Sequence, residues 1–329
     1  MNWDLIGHQW AANHLQRHIA DGSVRHAYLI SGPPGIGRKA LAVRFVQALN
    51  CPQQDNPGVP CGSCRTCRQI EQLEHPDLFP VQSEEGSRQL KINQIRELIH
   101  HLSLMPYQAP YRVGLLMDFE EANIEAQNAL LKTLEEPGKQ VVLVVIASSP
   151  DLLLETIVSR CEEIKLRPIP LDAVSAGLQR VYGIPAEQAR YLAHISGGRP
   201  EYALYLHQNP KAQQRRETLL EEHHTLLSAD LAARFAYAEN LHKDPELTQQ
   251  ALSTWRSLWH DVLIKAGGSQ APLQNVDRAQ QINSIAAEVG LMPSHQVLSD
   301  LKRAQALLKQ NANTRLTLED LLLRLPHFS

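Results

Sequence analysis

No stretch of this sequence is apolar for long enough to cross a bilayer; the longest such run, VVLVVIA at 141–147, falls far short of the roughly 20 residues a spanning helix needs. The opening MNWDLIGHQW also lacks the basic segment and apolar run of a secretory leader, so a cytoplasmic location is expected. A dominant charge sign is missing too. The 32 Lys and Arg against 35 Asp and Glu leave a formal charge of −3, so any contact with nucleic acid must come from a local basic face. There is no internal repeat and no low-complexity tract. Cysteine is scarce, with five in 329 residues, but four of them fall between positions 51 and 67. In a cytosolic chain that clustering favours metal binding over disulfides.

With 43% hydrophobic residues the chain can bury several cores, and its length suggests two or three domains. HAYLISG (26–32), YRVGLLMDF (111–119) and QVVLVVIASS (140–149) read as largely apolar strands. Between them, KALAVRFVQALN (39–50) and IEAQNALLKTLEEP (124–137) have helical spacing, the second stopped by Pro137. Continuously apolar strands alternating with helices predict a parallel α/β domain over 1–167. LRPIPL (166–171) is a proline-punctuated linker, and no convincing strand follows it. A small helical domain is expected over 168–207 and a helical bundle over 208–329. Trp255 and Trp259, four apart on one helical face, belong to the core of that bundle.

LISGPPGIGRKALAV (29–43) has the glycine spacing of a phosphate-cradling loop at Gly32, Gly35 and Gly37. Its side-chain half is missing. Arg38 stands where Lys should reach the β and γ phosphates, and Lys39 stands where a hydroxyl should hold Mg²⁺. The acidic pair such an enzyme needs is damaged as well, because LLMDFEEAN places Met117 and Asp118 at the strand end. Glu120 and Glu121 read as solvated charges at a helix start or loop. These substitutions favour a vestigial loop over nucleotide binding without turnover, and both over working hydrolysis.

In CPQQDNPGVPCGSCRTC, Cys61, Cys64 and Cys67 lie at spacings of three, and Cys51 closes a tetrahedron from across a polar loop. Structural zinc is the expected occupant, since four thiolates leave no open position. An iron–sulfur cluster would need a further downstream Cys-Pro. Cys161 is distant and reads as a buried thiol. A zinc-dependent nucleic-acid module is a weaker rival, because only Arg65 and Arg68 lie near the cysteines, with two Glu and an Asp close behind. Arg96 in LKINQIRELI is a further conceivable DNA contact, equally well read as a solvated helix charge.

Taken together, HAYLISGPPGIG, the four-cysteine insertion, NALLKTLEEP, the triplet Ser159, Arg160 and Cys161, and the helical C-terminal third resemble the delta-prime family of bacterial DNA polymerase III clamp-loader subunits. The resemblance covers the whole chain, down to NANTRLTLEDLLLRL. It implies an AAA+ P-loop parallel-sheet domain (1–167) with a four-cysteine zinc module at about 51–67, a helical lid (168–207) and a helical collar (208–329). It also implies a hetero-pentameric ring with gamma or tau motor subunits and delta, which loads a sliding clamp onto primed DNA at the replisome. The family's lid places an Arg after GG to sense the γ-phosphate; in ISGGRPEYAL that position falls to Glu201, with Arg199 two residues earlier. Ser148 and Ser149 occupy the region of its polar sensor. Arg160 matches the family's arginine finger, which acts on the neighbouring subunit's nucleotide. The resemblance therefore implies a stator without ATP turnover of its own; a motor subunit of the same ring is the alternative.

Overall fold

The computed structural model describes residues 3–54, 56–83, 89–310 and 312–328. The chain divides into two compact units, one comprising 1–189 with 198–202 and the other 190–197 with 203–329. In the first, the elements run α1 (Gln9–Ala20), β1 (Ala27–Ser31), α2 (Arg38–Asn50), α3 (Arg65–Glu71), β2 (Leu78–Val81), α4 (Ile92–Leu102) and β3 (Arg112–Leu116). They continue with α5 (Ile124–Glu135), β4 (Val141–Ala147), α6 (Glu155–Val158), β5 (Glu162–Lys165) and α7 (Leu171–Tyr182). The five strands are parallel in the order β2-β3-β4-β1-β5.

Side-chain alternation along β4 shows why the sheet needs helices on both sides. Val142, Val144 and Ile146 enter one core with residues of α1 and α2, among them Leu15, Leu41 and Phe45. Val141, Leu143 and Val145 enter the other with Leu98 of α4 and Leu130 of α5. At about 1.5–3 kcal/mol for each buried aliphatic side chain, neither face could be left wet. Asn123 caps α5 by accepting the Ala126 N–H at 2.8 Å.

The predicted strands at 26–32, 111–119 and 140–149 appear as β1, β3 and β4, and both predicted helices form. The sequence reading missed β2 and β5. β2, LFPV, contains Pro80, and β5, EEIK, is mostly charged. Both lie at sheet edges, where a missing N–H or a solvated side chain is tolerated.

The remaining elements are helical: α8 (Ala186–Ile195), α9 (Pro200–Gln208), α10 (Pro210–Ser228), α11 (Leu231–Leu241), α12 (Pro245–Ala266), α13 (Ala279–Val289), α14 (Leu291–Lys309) and α15 (Thr314–Leu323). In the second unit Trp255 and Trp259 are fully buried, as their helical spacing predicts. Trp255 donates its indole N–H to the Leu219 carbonyl at 3.0 Å, and Trp259 donates to His223 Nε2 at 2.7 Å. Arg234, 2% exposed, has no carboxylate partner among the described residues; its guanidinium instead donates to the carbonyls of Leu226, Leu227, Leu322, Leu325 and Pro326. It ties the C-terminal ends of α10 and α15 together at carbonyls that lie beyond the reach of helical bonding.

His223 must be neutral to accept from Trp259. Burial is the main cause pushing its pKa down to about 3, with His224 and Arg234 adding to it. The unfolded chain then binds a proton that the folded bundle refuses, so stability is complete above the ordinary pKa near 6.5 and falls as pH drops toward 3. Each pH unit inside that window costs about 1.4 kcal/mol. Urea midpoints of the full chain at pH 7.5, 6 and 5 should fall accordingly, and His223→Gln, which keeps an acceptor for Trp259, should flatten that fall.

Candidate functional site

Parallel strands deliver their following loops to one end of the sheet, and there the phosphate-type loop 32–37 meets the turns after β3 and β4. The Gly32 N–H donates to the Ala147 carbonyl at 3.2 Å, locking the loop to the end of β4. Gly32, Gly35 and Gly37 have φ of 150°, 76° and 105°. Two of them are also short of space: a Cβ on Gly32 would lie 2.7 Å from the Leu166 carbonyl, and one on Gly35 would lie 2.6 Å from Tyr202 Cβ.

The Tyr202 N–H donates to the Gly35 carbonyl at 2.9 Å, so the first turn of α9 rests on the loop. Arg199 donates to the Pro34 carbonyl at 3.4 Å and stacks over the Tyr202 ring at 4.3 Å. Glu201, the residue aligned with the sensor position, is exposed, and its neighbour Tyr202 makes the contact. On another side His8 Nε2 bonds the Ile36 carbonyl at 3.1 Å. Three successive carbonyls of the loop are therefore held by the protein itself.

Arg38 is 8% exposed and turns across to the end of β3. It donates to Asp118 at 3.1 Å and lies 4.0 Å from Glu120. Glu120 also accepts the Ser148 N–H at 2.9 Å. The expectation of solvated carboxylates fails for Glu120, whose side chain is only 18% exposed because it bridges Arg38 and the end of β4. Arg38, Asp118, Glu120 and Ser148 thus form one network in which an internal carboxylate takes the charge a nucleotide phosphate would carry. Met117, at the Mg²⁺-organising position, is buried in the apolar core. Lys39 is exposed at the first turn of α2, and the Ser149 hydroxyl donates to Asp151 at 3.0 Å.

The second motif lies beyond β4. α6 ends at Ser159, whose hydroxyl donates to the Thr156 carbonyl at 3.3 Å. Arg160 also donates to that carbonyl, at 2.8 Å, and to Glu135 at the end of α5, again at 2.8 Å. Its side chain remains 35% exposed. The stretches LEEP and SRC, far apart in sequence, therefore meet through one ion pair. Cys161 is half-buried, and burial pushes its thiol up to about 12, which makes it a poor nucleophile at neutral pH.

At the other end of α2, Cys51 is the C-cap residue, so the cysteine insertion grows directly from the helix that the glycine loop starts. The Sγ atoms of Cys51, Cys61, Cys64 and Cys67 all lie within 4.8 Å of one another. Sγ separations are 3.6 Å for Cys51–Cys61, 3.9 Å for Cys51–Cys64 and 4.0 Å for Cys61–Cys67. A tetrahedral ion with metal–sulfur bonds of about 2.3 Å requires edges of about 3.8 Å, so the four thiols fit a metal ion. The Cys64 and Cys67 N–H groups donate to the sulfurs of Cys61 and Cys64, both at 3.3 Å, in the manner of groups that support thiolates. Against the upward push of burial, the Ser63 and Cys64 N–H groups help bring the Cys61 thiol down to about 6. Gln47 of α2 anchors the module by donating to the Cys67 carbonyl at 2.7 Å and to Glu71 at 2.9 Å. Arg65 and Arg68 are exposed on the short α3, and Arg96 is exposed on α4. Asp77, just past α3, is buried and accepts the N–H groups of Tyr107, Gln108 and Ala109 at 2.7–2.9 Å.

A glycine turn between β1 and a helix, at the carboxyl ends of a five-stranded parallel sheet, defines a P-loop α/β module of the AAA+ type, with Arg38 and Lys39 following the last glycine of the turn. The family profile described as DNA polymerase III, delta subunit, matches residues 7–170, and the profile for the C-terminal part of the same protein matches residues 210–327. DNA polymerase III subunit delta' of Pseudomonas aeruginosa is 36% identical over 63% of this chain and 63% of its own. The delta' subunit of Escherichia coli is 28% identical over 100% of this chain and 96% of its own. Escherichia coli subunit tau is 30% identical over 54% of this chain but only 27% of its own length. The chain belongs to the delta-prime family of DNA polymerase III subunits.

An ion held by these four thiols should be released when one of them is replaced, loosening the insertion without unfolding the sheet. After desalting, Cys64→Ser should have lost the tightly held metal equivalent and be cut by protease within 51–67, with its far-UV circular dichroism unchanged. Full retention of that equivalent would place the ion elsewhere.

Proposed function

We propose that the chain is a non-hydrolysing, stator-like subunit of a DNA polymerase III clamp loader that donates Arg160 in trans to a neighbouring motor subunit. The observation that carries this reading is a contrast within one domain. Its own phosphate loop has Arg38 paired with Asp118 and Glu120 and has Met117 in place of a magnesium-organising carboxylate, while Arg160 remains solvent-accessible in the turn that follows the short α6. A guanidinium brought to a neighbour's γ-phosphate stabilises charge that builds there during transfer, an effect worth about 10³–10⁵ in rate in GTPases. To act so, Arg160 exchanges Glu135 for phosphate, and both partners are anionic.

In this reading 1–167 is the AAA+ domain, 168–207 the lid and 208–329 the collar that joins a hetero-pentameric ring with gamma or tau and delta. The ring loads the sliding clamp onto primed DNA in the cytoplasm. The four cysteines hold zinc, because an all-thiolate tetrahedral set suits that ion, and a closed coordination sphere makes its role structural. The cluster then staples an insertion to α2 and takes no chemical step.

The match to tau makes a motor subunit the natural rival. Calorimetric titration of the isolated chain with Mg-ATP separates the two, with no saturable binding and no hydrolysis expected. In a ring reconstituted with motor and clamp-opening subunits, Arg160→Ala should reduce DNA-stimulated ATP hydrolysis and cut clamp loading by at least about tenfold. Unchanged loading by that variant would sink the trans role of Arg160.

A further inference from the structure

Away from the phosphate loop, α1 and the edge strand β5 bring together a second group of metal-ligating side chains. His14 and His18 are one turn apart on α1, so both project from the same face. Glu162 opens β5, opposite Tyr28 of β1 in the sheet register. One ligand atom from each of His14, His18 and Glu162 lies within 4.8 Å of the other two. The imidazole centroids of His14 and His18 are 4.4 Å apart, and His14 Nε2 lies 3.2 Å from Glu162 Oε1.

That last distance suits a shared cation. With metal–ligand bonds of about 2.1 Å, donors 3.2 Å apart subtend about 100° at the metal, between octahedral and tetrahedral values. His18 also has the support that metal-bound imidazoles receive. Its Nδ1 is 2.9 Å from the Tyr28 hydroxyl oxygen, which itself accepts the Arg25 N–H at 2.9 Å. In the tautomer where Nδ1–H donates to Tyr28, the Nε2 lone pair is free for a metal. The side chains of His14 and Glu162 are 39% and 35% exposed, which leaves room for water to complete the coordination sphere.

We infer that His14, His18 and Glu162 form a second divalent-cation site, of the two-histidine, one-carboxylate kind, that takes zinc and clips α1 to β5. Mixed nitrogen and oxygen ligands with open positions bind more weakly than four thiolates, so this site fills after the cysteine cluster and exchanges readily. Because a bound ion must hold both elements at once, filling it stabilises the folded chain.

The test uses the full chain with its cysteine cluster already loaded with zinc. Titration calorimetry with zinc chloride should reveal a second equivalent, and the same addition should raise the thermal midpoint. Separate His14→Asn, His18→Gln and Glu162→Gln variants should each weaken the second equivalent by at least about tenfold, while the first equivalent and the far-UV spectrum stay intact. Tyr28→Phe, which keeps the ring and drops the phenol, should weaken it less. Added cobalt(II) should give a weak visible spectrum of nitrogen and oxygen ligation, without the intense thiolate charge-transfer band. Two results overturn the site: no zinc bound beyond the first equivalent, which leaves His14 and Glu162 as a hydrogen-bonded pair only, or a second equivalent indifferent to all three substitutions. If one histidine variant fails to fold, the Glu162→Gln variant decides the question, since its side chain lies at the surface.

Discussion

A parallel sheet buried on both faces is the constraint from which the functional geometry follows. Strands such as β4 must alternate their side chains between two dry cores, which forces helices onto each side. All loops that follow strands then gather at one end. The glycine turn, Asp118 and Ser148 meet there because Leu29, Val145 and Leu116 lie in register across three adjacent strands. The sheet keeps that arrangement whether or not the assembled residues can perform chemistry.

At this end a charge network joins the loop to the turns after β3 and β4. A phosphate loop needs a cation aimed at the ligand and a carboxylate left free for magnesium. Arg38 instead donates to Asp118 and lies 4.0 Å from Glu120, and contacts from Tyr202, Arg199 and His8 hold the loop's outer carbonyls. The glycines persist for reasons of space and backbone conformation: Gly32 and Gly35 could not carry a side chain past Leu166 and Tyr202. Packing alone is enough to require these glycines.

Buried apolar runs, the glycine spacing and the cysteine spacing were legible in the sequence because each is a local pattern with a local cause. The edge strands were not. Pro80 and the charged EEIK contradict strand propensity and are tolerated because both strands lie at the margins of the sheet, a fact set by topology. Glu120 looked solvated because its partners, Arg38 and Ser148, are 82 and 28 residues away. Tyr202 escaped notice for the same reason, since alignment pointed to its neighbour Glu201. The His14, His18 and Glu162 group combines a helical pair visible in sequence with a carboxylate 148 residues from His14. Long-range pairing is the information a single sequence least exposes.

α5 contacts the stretch bearing Arg160 at two places. Near its start, the Gln127 side-chain oxygen accepts the Leu154 N–H at 2.9 Å, and at its end Glu135 holds the guanidinium. These points are eight residues apart, roughly 12 Å along a helix that rises 1.5 Å per residue. A short four-residue helix is thereby slung beneath a longer rigid one like a carriage on a rail. A tilt of α5 would carry the arginine with it and change where that charge is presented.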